Sequence, residues 1–301
     1  MSSTSFSSKS RAASTRTREP MIGPTKRAKG AGNALRFLVG LIVAAIMMFP
    51  IYTALMGGFK AKGQIFSNPF GLPVPFSLEA YANILVETTN FWQLFLNSVL
   101  VVALVLAIVI CFSMSAAFAI ARVKFRGSKL VFNFFIMGLL FPLTVAILPL
   151  YLQLRGLGLT GTRLGVVLAE AAFGFPLSIF IFVGFFRDIP RDLQDACEID
   201  GATLFTFFVK VIIPLSLPAI STVAILNFIA SWNQFLLPLL VLDSETKYTI
   251  PLGVMQFQGQ YTTGWNFIMA FITLSMLPIG IFYYSAQRYV VKGLTAGAIK
   301  G

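Results

Sequence analysis

Residues 187–218 read RDIPRDLQDACEIDGATLFTFFVKVIIPLSLP and hold five of the chain's eleven acidic residues, Asp188, Asp192, Asp195, Glu198 and Asp200. On either side lie long apolar runs almost empty of charge. A helix needs about 20 apolar residues to cross a hydrocarbon core about 30 Å thick, and these runs are long enough. A charged insert between two lipid-length segments points to a helical membrane protein with one acidic connection.

Composition agrees. The 301 residues are 57% hydrophobic and 11% charged, whereas soluble domains carry about 25% charged residues. A soluble body of this size cannot cover so much apolar surface with so few polar groups. A membrane β-barrel would show short alternating segments instead. The expected fold class is all-α and integral to the membrane, with the lipid bilayer as a partner. The net charge of +12 reads as positive-inside bias rather than as a nucleic-acid footprint. The chain has no histidine, which removes imidazole acid–base chemistry and His-based metal sites. No catalytic, cofactor-binding or metal-ligating group is expected. Cys111 falls in a membrane run and Cys197 in the insert, so no disulfide between them is expected.

Working outward from the insert, six membrane segments are expected, at about 35–59, 91–121, 130–152, 164–186, 217–242 and 265–284. The first follows a basic stretch, as a signal peptide would. It is too long for a signal h-region and lacks a clear small-residue cleavage site, so it reads as an uncleaved anchor. Residues 1–33 are rich in Ser, Thr, Ala, Gly, Lys and Arg and read as a disordered basic tail. Residues 34–301 would then form the membrane domain, ending in a cytoplasmic tail at 288–301. With the N-terminus inside, the inner side holds eighteen of the 23 Lys and Arg residues and the outer loops hold five. This asymmetry predicts that both termini and the acidic insert face the cytoplasm. The first outer loop, 60–90, carries Pro and Gly turns and an expected short helix at 78–85. No internal repeat is visible.

Within the insert, Pro190 suits a first helical turn. Ile189, Leu193, Ala196 and Cys197 follow at helical spacing and predict an apolar stripe. Gly201 permits a sharp turn. A second helix is expected from about Ala202, carrying Phe205, Phe208, Val209 and Ile212, with Pro214 and Pro218 kinking the entry into the fifth membrane segment. An inner connection that is acidic and folded, rather than basic and loose, suggests a docking element for a protein partner.

The run Asp195-Ala196-Cys197-Glu198-Ile199-Asp200-Gly201-Ala202, followed by Ile213-Pro214-Leu215 and Pro218, resembles the EAA signature of ABC importer permeases. Asp195 stands where the family usually has Glu, and Cys197 where it usually has Ala. The resemblance extends to AAFAIARVKF at 116–125, SWNQFLLPL at 231–239 and QRYVVKGLTAGAIKG at 287–301. Together these are similar to the carbohydrate-uptake branch, and within it to the shorter, maltose-type permease subunit. The resemblance implies a type I importer fold with six membrane helices. It implies a second permease subunit, a cytoplasmic ATPase dimer that binds ATP and Mg, and an extracytoplasmic sugar-binding protein in a bacterial-type inner membrane. Asp195, Ala196, Cys197, Glu198, Asp200, Gly201 and Ala202 would belong to the coupling element docked in a cleft of the ATPase. Asp195 would sit at the rim, and Gly201 would set the angle between the two short helices. Residues 294–301 would sense ATPase closure. This chain has no G-x-x-x-x-G-K-[ST] loop, so ATP chemistry is expected in a separate subunit and not here.

Polar groups within the membrane runs are candidates for the substrate pathway. Glu170 is the one acid inside such a run, and an intramembrane acid is costly to keep. It reads either as a pathway contact or as a structural hydrogen bond. Asn227, Ser231 and Gln234 fall at i, i+4 and i+7 on one face, with Trp232 and Asn233 beside them. Amides beside an aromatic suit a sugar, and the same groups serve equally for hydrogen bonding between helices. The competing functional reading is an ion-coupled secondary transporter, which would need intramembrane ionisable groups and often shows inverted repeats.

Overall fold

The computed structural model describes residues 26–87, 90–257 and 264–298. Its described residues divide into two compact units, before and after the Pro50–Ile51 bond. The first unit holds most of helix α1 (Lys26–Gly58), which begins inside the stretch expected to be a tail. In residues 26–33, Lys26, Arg27, Ala28, Lys29 and Ala31 favour helix while Gly30, Gly32 and Asn33 oppose it, so the extension relies on the apolar run behind it to nucleate the helix. The remainder of the expected tail, residues 1–25, lies outside the described residues. The apolar side chains of α1 from Leu35 to Phe49 are exposed.

The second unit is built on two long helices, α2 (Phe91–Arg122) and α5 (Arg163–Asp188), which pack along each other. Between them in the chain come α3 (Ser128–Gly138) and α4 (Leu143–Gly156). After α5 come α6 (Asp192–Ile199), α7 (Leu204–Leu215), α8 (Leu217–Trp232), α9 (Leu236–Val241) and α10 (Trp265–Ala298). The α2–α5 seam follows from sequence spacing. Val101, Val105 and Val109 recur every four residues on α2 and so share one face. They belong to one buried cluster with Val166, Ile179, Phe182 and Phe186 of α5. A second cluster joins Phe91 and Leu94 of α2, Phe228 and Trp232 of α8, and Phe271 of α10.

Among the described residues, four helices are long and apolar enough to cross a membrane: α1 over Leu35–Gly58, α2, α5, and α10 over Trp265–Ser285. The count rises to six if two bent pairs each make one span. The third expected segment, 130–152, is therefore not one straight helix, since α3 and α4 meet at 104°. Pro142 explains the break. Its ring would collide with the carbonyl of Gly138, and it pushes Phe141 away from helical geometry. Gly138 also lies against α5, where a Cβ would stand 2.8 Å from Cγ of Pro176.

The fifth expected segment, 217–242, is displaced, because the bent pair that could make this span runs over Leu204–Leu215 and Leu217–Trp232. α7 and α8 meet at 72° around Ser216, where Pro218 cannot bond the carbonyl four residues back. At its far end α8 stops at Trp232. The Asn233 side chain bonds back to the carbonyl of Ile229 at 2.8 Å, a local bond that competes with continued helix. α9 is consequently a separate short helix.

Candidate functional site

α5 and α8 face each other across a cavity of about 150 Å³ whose lining includes Glu170, Gly174, Asn227, Ser231 and Gln234. Asn227 and Ser231 thus share a face of α8, as their spacing predicts, Gln234 joins them from just past the helix end, and all three line the cavity with Glu170. The Ser231 hydroxyl donates to Oε2 of Glu170. Oε1 of Glu170 is buried without a hydrogen-bond partner among the described residues. One turn away, Nδ2 of Asn227 donates to Oγ of Ser178 at 3.0 Å and to the carbonyl of Val223 at 2.9 Å. Ser178 in turn donates to the carbonyl of Gly174 at 2.7 Å. α8 comes close at Gly174, where a Cβ would lie 2.4 Å from Oδ1 of Asn227.

The other two pathway candidates lie elsewhere. Trp232 is buried, donates from Nε1 to the carbonyl of Ser275 at 3.1 Å and stacks on Phe228 with ring centres 5.6 Å apart. Its role here is to join α8 to α10. Asn233 is exposed and serves the helix end described above. Both follow from helical geometry, because residues adjacent in sequence point about 100° apart and cannot share the face of Ser231.

The acidic stretch folds as helix, turn, helix. Asp192 and Asp195 occupy the first turn of α6, where negative charge complements the helix dipole. Gly201 has φ of 78°. The Ala202 amide reaches back to the carbonyl of Cys197 at 2.9 Å, closing the C-terminal turn. Thr203 then caps α7, its hydroxyl accepting from the Thr206 amide at 3.2 Å. The helix starts later than Pro190, at Asp192, the first helical bond running from the Asp195 amide to the carbonyl of Arg191 at 3.0 Å, while Ile189 before it is extended with ψ of 128°. The expected apolar stripe accordingly splits. Ile189 is buried and Cys197 half-buried against the main cluster, whereas Leu193 and Ala196 are exposed. Asp195, Glu198, Asp200 and Gly201 are exposed and Ala202 is half-buried. Ile199 and Phe205, 86% and 75% exposed, present apolar surface on either side of Gly201.

Arg122, at the end of α2, ties this stretch to the membrane helices. Its Nη2 donates to the carbonyls of Phe186 and Ile189, both at 2.5 Å.

Residues 110–296 match the family model described as "Binding-protein-dependent transport system inner membrane component". The chain belongs to this family of inner-membrane transport components. Curated relatives agree along most of its length. The diacetylchitobiose uptake system permease protein NgcG of Streptomyces coelicolor is 34% identical, over 86% of each chain. The probable starch degradation products transport system permease protein AmyC of Thermoanaerobacterium thermosulfurigenes is 34% identical over 88% of this chain and 96% of that protein. The trehalose/maltose transport system permease protein MalG of Thermococcus litoralis is 32% identical over 89% and 96%. A crystal structure of a bacterial ABC transporter that imports alginate superposes with a TM-score of 0.79 at 22% identity, covering 89% of this chain and 99% of that one. The protein is thus a permease subunit of an ABC importer and not an enzyme, and the type I importer fold stands.

On the permease, sequence reasoning passed over Arg122, Gly174 and Ser178. The last two had a readable signal: Glu170, Gly174 and Ser178 recur every four residues on α5 and mark one small or polar face. Arg122 had none, being one of many basic residues near a membrane end. The closing motif at 287–301 lies in or beyond the last part of α10, where side chains fall outside the described residues.

Proposed function

We propose that this permease takes up a sugar or oligosaccharide delivered by a substrate-binding protein, by alternating access coupled to a separate ATPase. One observation carries the substrate class: relatives matched over most of the chain are named as permeases for diacetylchitobiose, starch degradation products and trehalose/maltose. The cavity between α5 and α8 supports it. A carboxylate, two amides and a hydroxyl line a partly apolar space, which is the donor and acceptor mixture a sugar needs. Ligand pockets span ~300–1,000 Å³, so 150 Å³ suits one wall of a pathway. A second permease subunit would supply the rest in a heterodimer.

In this reading both termini and the acidic stretch face the cytoplasm, where most of the Lys and Arg lie. α6 is the coupling helix. Asp195, Ala196, Cys197, Glu198, Asp200, Gly201 and Ala202 meet the ATPase, whose subunits bind ATP and Mg, and Ile199 and Phe205 enter its apolar cleft. A rigid lever of this kind transmits closure only if the ATPase binds the two permease states with different affinity.

Proteoliposomes holding the co-purified complex test the proposal. A sugar panel is presented on the associated binding protein, with ATP inside. ATP-dependent sugar uptake is expected. Uptake driven by an ion gradient without ATP would restore the rival reading, and transport confined to non-sugar solutes would overturn the substrate class.

A further inference from the structure

An open pocket of about 870 Å³ lies where α2 ends and α3 begins, and its lining holds six cations: Arg122, Lys124, Arg126, Lys129, Arg187 and Arg191. They come from the end of α2, the turn before α3, the first turn of α3, the end of α5 and the residue before α6. No acidic residue is among the lining. Positive-inside bias explains cations near a membrane end, but it does not explain why two stretches of chain, 120–130 and 187–191, gather them around one concavity. Crowding like charges is unfavourable unless an anion offsets it.

A second observation points to that anion. Arg122 is only 7% exposed, and its Nε is buried without a hydrogen-bond partner, while Nη2 is engaged by two carbonyls. An unpaired buried N–H in a charged group is costly, and an acceptor within the pocket would relieve it. The first turn of α3, an eleven-residue helix, lines the same pocket through Ser128, Lys129 and Leu130, which adds the positive end of its dipole.

The level and the rim of the pocket identify the kind of anion. Arg122 and Arg187 terminate helices long enough to span the membrane, so the pocket lies at the bilayer surface. Leu130 is 75% exposed, and Phe125 and, further along α3, Phe134 are exposed too. These offer apolar surface for acyl chains directly beside the cations. Arg187 also stacks over Phe132, 5.0 Å from the ring centre, which holds its charge at this edge. We infer that this pocket holds the phosphate headgroup of an anionic phospholipid.

The full-length chain, purified with whichever subunits accompany it, is mixed in detergent with phosphatidylglycerol or phosphatidylcholine. Retained lipid is then counted by native mass spectrometry. Three surface cations are together worth on the order of a hundredfold in attraction to an anionic lipid. The wild type should retain phosphatidylglycerol in preference to phosphatidylcholine. The exposed triple variant Lys124→Gln, Arg126→Gln, Lys129→Gln should lose at least tenfold in retention, while Lys124→Arg with Lys129→Arg, or the distant Lys62→Gln, should keep it. Equal retention of the two lipids, or a triple variant that binds as the wild type does, overturns the proposal. Displacement of the lipid by inorganic phosphate alone overturns it in favour of a soluble anion.

Discussion

The hydroxyl of Ser231 donates to the carboxylate of Glu170, linking α8 to α5 inside a membrane-embedded cavity. The other carboxylate oxygen is buried and unpartnered among the described residues, so in the proposed transport cycle it is a spare acceptor for a substrate hydroxyl once the helices part. Glu170→Gln keeps an acceptor for Ser231 but exchanges the carboxylate's second oxygen for a donor. We expect this variant to assemble normally and to lower the initial rate of uptake about tenfold, read in proteoliposomes against the amount of complex. Wild-type uptake would reduce Glu170 to a structural role.

Gly174 is required by its neighbour rather than by its backbone. A Cβ would lie 2.4 Å from Oδ1 of Asn227 and 3.0 Å from Cγ2 of Val109. Asn227 cannot swing away without losing Ser178 and the Val223 carbonyl. Overpacking of this kind costs roughly 1–3 kcal/mol. Gly174→Ala should lower the thermal unfolding midpoint of the purified complex, and Gly184→Ala should not, because a Cβ at Gly184 meets nothing within 4 Å. Equal midpoints for the two variants would count against the close approach.

These two sites mark the limit of what the sequence shows. Spacing alone put Asn227 and Ser231 on one face, because 3.6 residues per turn leaves no other arrangement on a continuous helix, whereas Gln234 lies just past the end of α8 and reaches the same cavity from the turn. That Glu170 faces them depends on how α5 and α8 rotate against each other, which no local pattern encodes. Trp232 and Asn233 were grouped with them by nearness in sequence, and helical geometry separates them. The bends at 142 and 218 were visible as prolines, but a proline gives the place of a kink and not its angle. Arg122 illustrates the rest. Its carbonyl partners lie 64 and 67 residues away, so the tether exists only in three dimensions.

Gly201 is a test of conformation without steric interference. Its φ is 78°, yet a Cβ there meets nothing within 4 Å. The left-handed region costs an ordinary L-residue about 1–2 kcal/mol, and Asn tolerates it better than others. Coupling should therefore survive Gly201→Asn, weaken in Gly201→Ala and fail in Gly201→Val, the β-branched case. The measurement is sugar transported per ATP hydrolysed. An equal ratio in all three variants would rule out the turn as a hinge of the lever.

Arg122 offers the last test, because it ties the entry of the acidic stretch to α2 through two carbonyls. A guanidinium spreads its charge over a rigid fork, whereas a lysine ammonium is a single point on a flexible stem. Hydrogen bonds to charged groups contribute ~1.5–3 kcal/mol each, so Arg122→Ala should cost about 3 kcal/mol and Arg122→Lys about half of that. If α6 is the coupling helix, the tether also transmits its movement to α2. Arg122→Lys should then retain much of its ATPase activity while losing a larger share of its uptake. A parallel loss of both, with the complex intact, would mean that Arg122 stabilises the fold without relaying motion.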